Sequence, residues 1–403
     1  MILNRLRRLY PAGSTNRILM TFVLMNAFGF FALSGARGFL VAFLEYIGYS
    51  ASMIGAVVSL SAAFGIAGQF LFGFLCDKFG RIKPFYFVLM LATLVSVFLI
   101  YIVRPPIEVM FIAFAIMGVS VSTCVQLVDS WILESGEAIK QRYGVARGAS
   151  SFGWATGLMV LGSFIVAFGY EVLPIVSLVF VMIAFALAYS QPDAKKSKSD
   201  KKISIKSVKE LFANYRYIHL LITTFMIYGV ISAEWILNGI KAAQLTTPVL
   251  FGVFFGILAM SEAPFFTVFQ RMGRRFRLEY IFIFGIAMYV VRITLMGLAP
   301  NIWVMMLIAF TNAIAYAPCY ICTKLLIDAE IPQHLKTTGQ LIAAAVFTGI
   351  SGIIFPVAMG FIVDAFGLNF AFFALAAFAV LPFISAIIFS KLPNRQMPSE
   401  TVT

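Results

Sequence analysis

Residues 129–154, DSWILESGEAIKQRYGVARGASSFGW, close one long apolar run and open the next. Asp129 precedes the polar break at 134–143 by a few residues, and Arg147 follows it by a few. If both runs are membrane helices, the two charges lie at similar depth on antiparallel neighbours. A charge in hydrocarbon costs at least about 2.5–3.5 kcal/mol on insertion scales, so such a pair is kept for a reason. Trp154 stands seven residues after Arg147, two helical turns on, hence on the same face and about 10 Å deeper. A carboxylate, a guanidinium and an indole facing one cavity suit a polyhydroxylated ligand. The charged groups hydrogen-bond hydroxyls, and the indole covers an apolar ring face. The competing reading is an ion pair that only fixes two helices, with Trp154 as packing.

The rest of the chain supports membrane helices. Of 403 residues, 61% are hydrophobic and 12% charged, and the mean hydropathy is +0.96, which is not the composition of a soluble protein. Apolar runs long enough to span about 30 Å as helices recur twelve times. They lie at 18–46, 52–75, 84–103, 107–133, 144–169, 172–190, 218–240, 248–270, 279–299, 302–327, 339–363 and 368–390. This predicts an all-α membrane protein in two halves, 1–190 and 218–403, joined by a basic linker at 191–217. The N-terminus is basic and then apolar, but its apolar run is long and lacks a cleavage site. It reads as a retained first helix rather than a signal peptide.

The net charge of +13 would suit a nucleic-acid partner if it were clustered on a soluble face. Instead, 24 Lys/Arg fall in segments on one side of the predicted spans and 2, Arg104 and Lys241, on the other. That asymmetry places both termini in the cytoplasm by the positive-inside rule and makes the lipid bilayer the partner. Four basic residues remain inside spans: Arg37, Arg147, Arg292 and Lys324. Arg37 lies between Gly35 and Gly38, beyond the middle of the first span. It reads as an additional substrate contact, or as a structural partner of Glu45. Cys319-x-x-Cys322 sits in an apolar helix with no second pair, so packing accounts for it.

Two spans of the second half carry carboxyl groups, Glu234 beside Trp235 and Glu262 two residues before Pro264. A carboxyl inside a span can take up and release a proton as its surroundings change. Glu262 is the first candidate for coupling and Glu234 the second. For each the alternative is a permanent ion pair with Arg292 or Lys324. No His/Asp/Glu set has metal-ligand spacing, and no Ser/His/Asp set sits at an interface, so neither an enzyme nor a cofactor is expected. No large soluble segment suits a receptor. The halves also repeat. GSFIVAFG at 162–169 and GFIVDAFG at 360–367 end the fifth and eleventh spans, 198 residues apart.

These residues resemble the major facilitator superfamily. Residues 73–83, GFLCDKFGRIK, match its signature between the second and third helices, with Gly73, Asp77, Gly80 and Arg81 in the motif positions. Residues 129–154 are similar to the lactose permease and its relatives, which carry an acid, an Arg 18 residues on, and then a Gly-Trp pair. In that family these residues bind the sugar, which implies Asp129, Arg147 and Trp154 as the anchor here, with Asp129 in place of the family's Glu. Val291-Arg292-Ile293 resembles the segment whose Arg assists proton coupling. The family's Lys/His/Glu relay on the tenth helix falls here on residues such as Ala313 and Tyr316, and neither His219 nor His334 replaces it. The resemblance implies two six-helix halves around a midplane site. It also implies a monomer in the inner membrane that imports a sugar-like solute with a proton as coupling ion. The alternatives are an anionic solute or nucleoside as cargo, or uncoupled transport.

Overall fold

The computed structural model describes residues 15–193, 211–273, 275–332 and 335–393, and all regular structure among them is helical. Twelve long helices account for nearly all of it, with a short helix at Glu137–Lys140. The first six are α1 (Thr15–Tyr46), α2 (Ala51–Phe79), α3 (Lys83–Val103), α4 (Ile107–Glu134), α5 (Tyr143–Phe168) and α6 (Val172–Ser190). The second six are α7 (Tyr215–Leu245), α8 (Pro248–Met272), α9 (Leu278–Leu298), α10 (Ile302–Glu330), α11 and α12 (Leu368–Lys391). Helix α11 runs through Lys336–Ala344, Ala345–Ile350 and Ser351–Phe366. Eleven of the twelve are long and apolar enough to cross a membrane throughout; α8 has the length, with its apolar described part at Pro248–Glu262. Large apolar side chains such as Phe70, Ile112, Leu307 and Phe361 lie fully outward, as a lipid-facing surface requires. Residues 1–14 and 194–210, which hold the basic N-terminus and most of the expected linker, lie outside the described residues.

The helix pairing repeats with a shift of six. In the first half α1 packs on α5, α2 on α4 and α3 on α4. In the second, α7 packs on α11, α8 on α10 and α9 on α10. The halves meet along two seams, α2 against α11 and α5 against α8, which the same shift exchanges.

Both seams depend on residues without side chains. At the first, Gly55 of α2 faces the Pro356 carbonyl and Gly360 of α11 faces the Ala51 carbonyl. At the second, Gly162 of α5 faces the Pro248 carbonyl and Gly252 of α8 faces the Leu158 carbonyl. A Cβ at any of the four would overlap backbone, not a side chain that could turn away. Gly162 and Gly360 are the first residues of the repeated GxxxxxxG segments. All four lie in the half of the bundle near the α1–α2 turn. Asp364 adds a polar latch there, accepting from the Ala51 and Ser52 amides at 2.9 Å each. Phe39 packs on Phe251 across the same end, and Gln244 donates to Glu45 at 2.6 Å.

The opposite end, at the α2–α3 turn, is built differently. Gly80 takes φ +64° and ends α2 by donating to the Cys76 carbonyl. Asp193 accepts from the Ile82 and Lys83 amides, while the Lys83 ammonium donates to the carbonyls of Tyr189 and Gln191. An acid thus satisfies the start of α3 and a base the end of α6, each matching the local helix dipole. Gly144 and Gly148 of α5 face open space at this end. Among the described residues, the close backbone contacts between the halves therefore seal the end at the α1–α2 turn, and the packing is looser toward the α2–α3 turn.

Replacing Gly55 or Gly252 by Trp should hold the sealed end apart. Spin labels on Tyr46 and Leu245, both exposed and one on each half, would report a longer distance. An unchanged distance in a folded variant would contradict the role given to these glycines.

Candidate functional site

Between the halves lies a cavity of about 570 Å³, well within the range of roughly 300–1,000 Å³ typical of small-molecule sites. Helix periodicity decides which side chains reach it. On α1 they are Phe30, Leu33 and Arg37; on α5, Arg147, Ser151 and Trp154; on α7, Ile231, Glu234, Trp235 and Asn238. Each set follows the i, i+3 or i+4, i+7 spacing of one helical stripe. From the other side come Glu262 of α8, Arg292 of α9 and Asn312 of α10.

The first-half wall contains two of the three residues of the expected anchor. Arg147 and Trp154 line the cavity together, with the Arg147 guanidinium 5.3 Å from the Phe30 ring centroid. Asp129 sits one turn beyond the cavity-lining Val125 on the same face of α4, nearer the open end. Its hydrogen bond goes to the Tyr143 hydroxyl, with Arg147 and Lys324 both within electrostatic reach. Asp129 thus belongs to a small network with Tyr143 and Arg147 rather than to a direct ion pair. Tyr143, seen in the sequence only as the aromatic of a motif, is what orients the carboxylate.

The second-half wall holds two polar pairs. Arg292 and Glu234 form a buried ion pair, at 2% and 3% exposure. This is the alternative that the sequence left open for Glu234. The pair does not exhaust its neighbours: Asn238 donates to Glu234 at 3.3 Å, but the Asn238 Oδ1 and Arg292 Nε have no partner in the protein. A free acceptor and a free donor on the wall of a polar cavity are places where water or a ligand hydroxyl completes the bonding. Glu262 is held by Asn312, whose Nδ2 donates to Oε1 at 2.6 Å. Asn312 was not singled out by sequence reading; its only signal was a side-chain amide in an apolar span. Lys324 turns away from both carboxyls to the Tyr320 hydroxyl at 2.5 Å.

Arg37 lies in a π-helical turn, Ser34–Gly38, an arrangement frequent at functional positions. Glu45, its conjectured partner, accepts from Gln244 instead. Among the motif residues at the α2–α3 turn, Gly73 and Gly80 have open space around them and Arg81 is exposed. Cys319 and Cys322 are buried free thiols. Among the described residues no group of His, Cys, Asp and Glu could hold a metal ion.

Comparison with known proteins agrees with this architecture. The chain is 23% identical over 380 residues to the sucrose permease of Escherichia coli, covering 88% of this chain and 89% of that protein. Its fold is similar to the crystal structure of the nucleoside transporter NupG, with TM-score 0.80, 15% identity, and coverage of 93% of this chain and 100% of that one. A bacterial homologue of the human lysosomal transporter Spinster, in an inward-facing and unoccupied conformation, gives TM-score 0.75 at 11% identity, covering 94% and 99%. The sequence model of the MFS_1 like family matches residues 20–374. This multi-pass membrane protein therefore belongs to the MFS_1 like family of major facilitator secondary transporters.

Proposed function

We propose that the protein imports a sugar-like solute together with a proton by alternating access, as a monomer in the inner membrane. The observation that carries this reading is the shared cavity between the halves. An arginine and an indole on α5 face two carboxyl-containing pairs on the other half. The resemblance to the sucrose permease supports a sugar as cargo. The positive-inside distribution supports both termini and the α2–α3 turn in the cytoplasm, which would make the sealed end the outer one.

In this scheme Trp154 covers one face of the solute ring, and Arg147, Asn238 Oδ1 and Arg292 Nε satisfy its hydroxyls. Asp129 acts on Arg147 from the mouth. Glu262 carries the proton. Its partner suits the task, because a side-chain amide can donate to the ionised carboxylate and, once flipped, accept from the protonated form. Glu234 has a fixed charged partner and serves the architecture. No cofactor enters the scheme.

Two substitutions separate these roles. Glu262→Gln should keep solute exchange across proteoliposomes and lose accumulation driven by a pH gradient. Full pH-driven accumulation in that variant would assign coupling elsewhere. Glu234→Gln should instead destabilise the protein, because it leaves the Arg292 guanidinium buried without a counter-charge, a loss of about 3–5 kcal/mol. Thermal melting in detergent would show it, and an unchanged melt would mean that Arg292 finds another partner.

A further inference from the structure

Within the membrane spans, most of the charged groups that line the cavity have a polar or charged partner. Arg292 has Glu234, Arg147 has Asp129 within reach, and Glu262 has the Asn312 amide. Arg37 is the exception. It lines the cavity, yet among the described residues no group accepts a hydrogen bond from it and no carboxylate pairs with it. The surroundings hold it there. Gly35 is packed against Ser177 and Leu161, and Gly38 against Leu158, so the turn that carries Arg37 has little room to rotate away. A guanidinium carried on a turn packed in this way, with no counter-charge of its own, suits a planar, bidentate anion.

Its depth fits the rest of the site. Gly153 of α5 is level with Ala27 of α1, and Gly157 with Ser34. Trp154 therefore sits near the level of Phe30, and Arg37 lies about two turns further toward the sealed end, roughly 10 Å beyond. Side chains on a helix lean toward its N-terminus, which on α1 is back toward Trp154. A ring stacked on the indole would then turn a substituent at one end toward Arg37.

We propose that Arg37 is a specificity residue that recognises a carboxylate on the solute, so that the transported class is acidic sugars rather than neutral ones. This rests on the sugar-proton reading above and narrows its substrate. The charge balance is consistent: the solute's negative charge offsets the one uncompensated cation, and the coupling proton on Glu262 travels with the anion.

The test uses the full chain in proteoliposomes with labelled glucuronate, glucose and lactate. The wild type should carry glucuronate and prefer it over glucose by at least tenfold in KM. Arg37→Gln should raise the glucuronate KM at least tenfold more than the glucose KM and so remove that preference, and Arg37→Lys should restore part of it. An equal effect of Arg37→Gln on both sugars, or a wild type that prefers glucose, would overturn the charge assignment and leave the sugar reading standing. Arg37-dependent transport of lactate with neither sugar carried would do the reverse. Transport of none of the three by folded protein would overturn both.

Discussion

The structure depends on backbone touching backbone. Two helices with ordinary side chains stay 8–10 Å apart, and a bundle of twelve such helices would leave its halves separated along their whole length. Glycines at 55, 360, 162 and 252 let carbonyls approach where side chains would otherwise stand. In lipid this matters more than in water, because apolar surface gains little from leaving hydrocarbon and close van der Waals packing must supply the association. The seal and the shape of the cavity both follow from those four positions. All four glycines lie in one half of the bundle, and the cavity lies between the halves beside them.

Charge is arranged by a second constraint. Every ionised group at membrane depth must have a partner or a use. The two halves meet that demand differently. The second half closes its charges on itself, with Arg292 against Glu234 and Lys241 donating to the Met296 and Gly297 carbonyls at 2.7 and 2.9 Å. The first half leaves its arginines facing the cavity, one near a carboxylate at the mouth and one with no counter-charge. The division of labour is thus a rigid polar wall opposite a wall that a ligand can complete.

Much of this was legible in the chain. Apolar runs gave twelve helices with ends within a few residues, because a span is set by bilayer thickness and both flanks are polar. Arg147 and Trp154 were legible because a seven-residue interval fixes a shared helical face whatever surrounds it. The Tyr143 partner of Asp129 was not legible, since what a residue near a turn meets depends on how that turn folds, and residues 137–140 coil into a short helix. The partners of Glu234 and Glu262 could not be chosen. Arg292 was a candidate for both carboxyls, and only the crossing of α9 with α7 decides between them. Asn312 and Asp364 were silent for the same reason: a hydrogen bond 50 or 313 residues away leaves no local trace.

The two seams are related by the internal repeat but are not equal. At one, α8 begins with Pro248, which has no amide hydrogen to satisfy. At the other, α2 begins with Ala51 and Ser52, whose amides are held by the Asp364 carboxylate. Among the described residues, parting the first seam breaks no hydrogen bond between α5 and α8. Parting the second strips two amides and a carboxylate of one another and requires water to reach them first. The bundle is therefore a hinged box with a dry edge and a wet one. An opening along α5 and α8 strips no such bonds, whereas one at the start of α2 needs water in place of the Asp364 carboxylate.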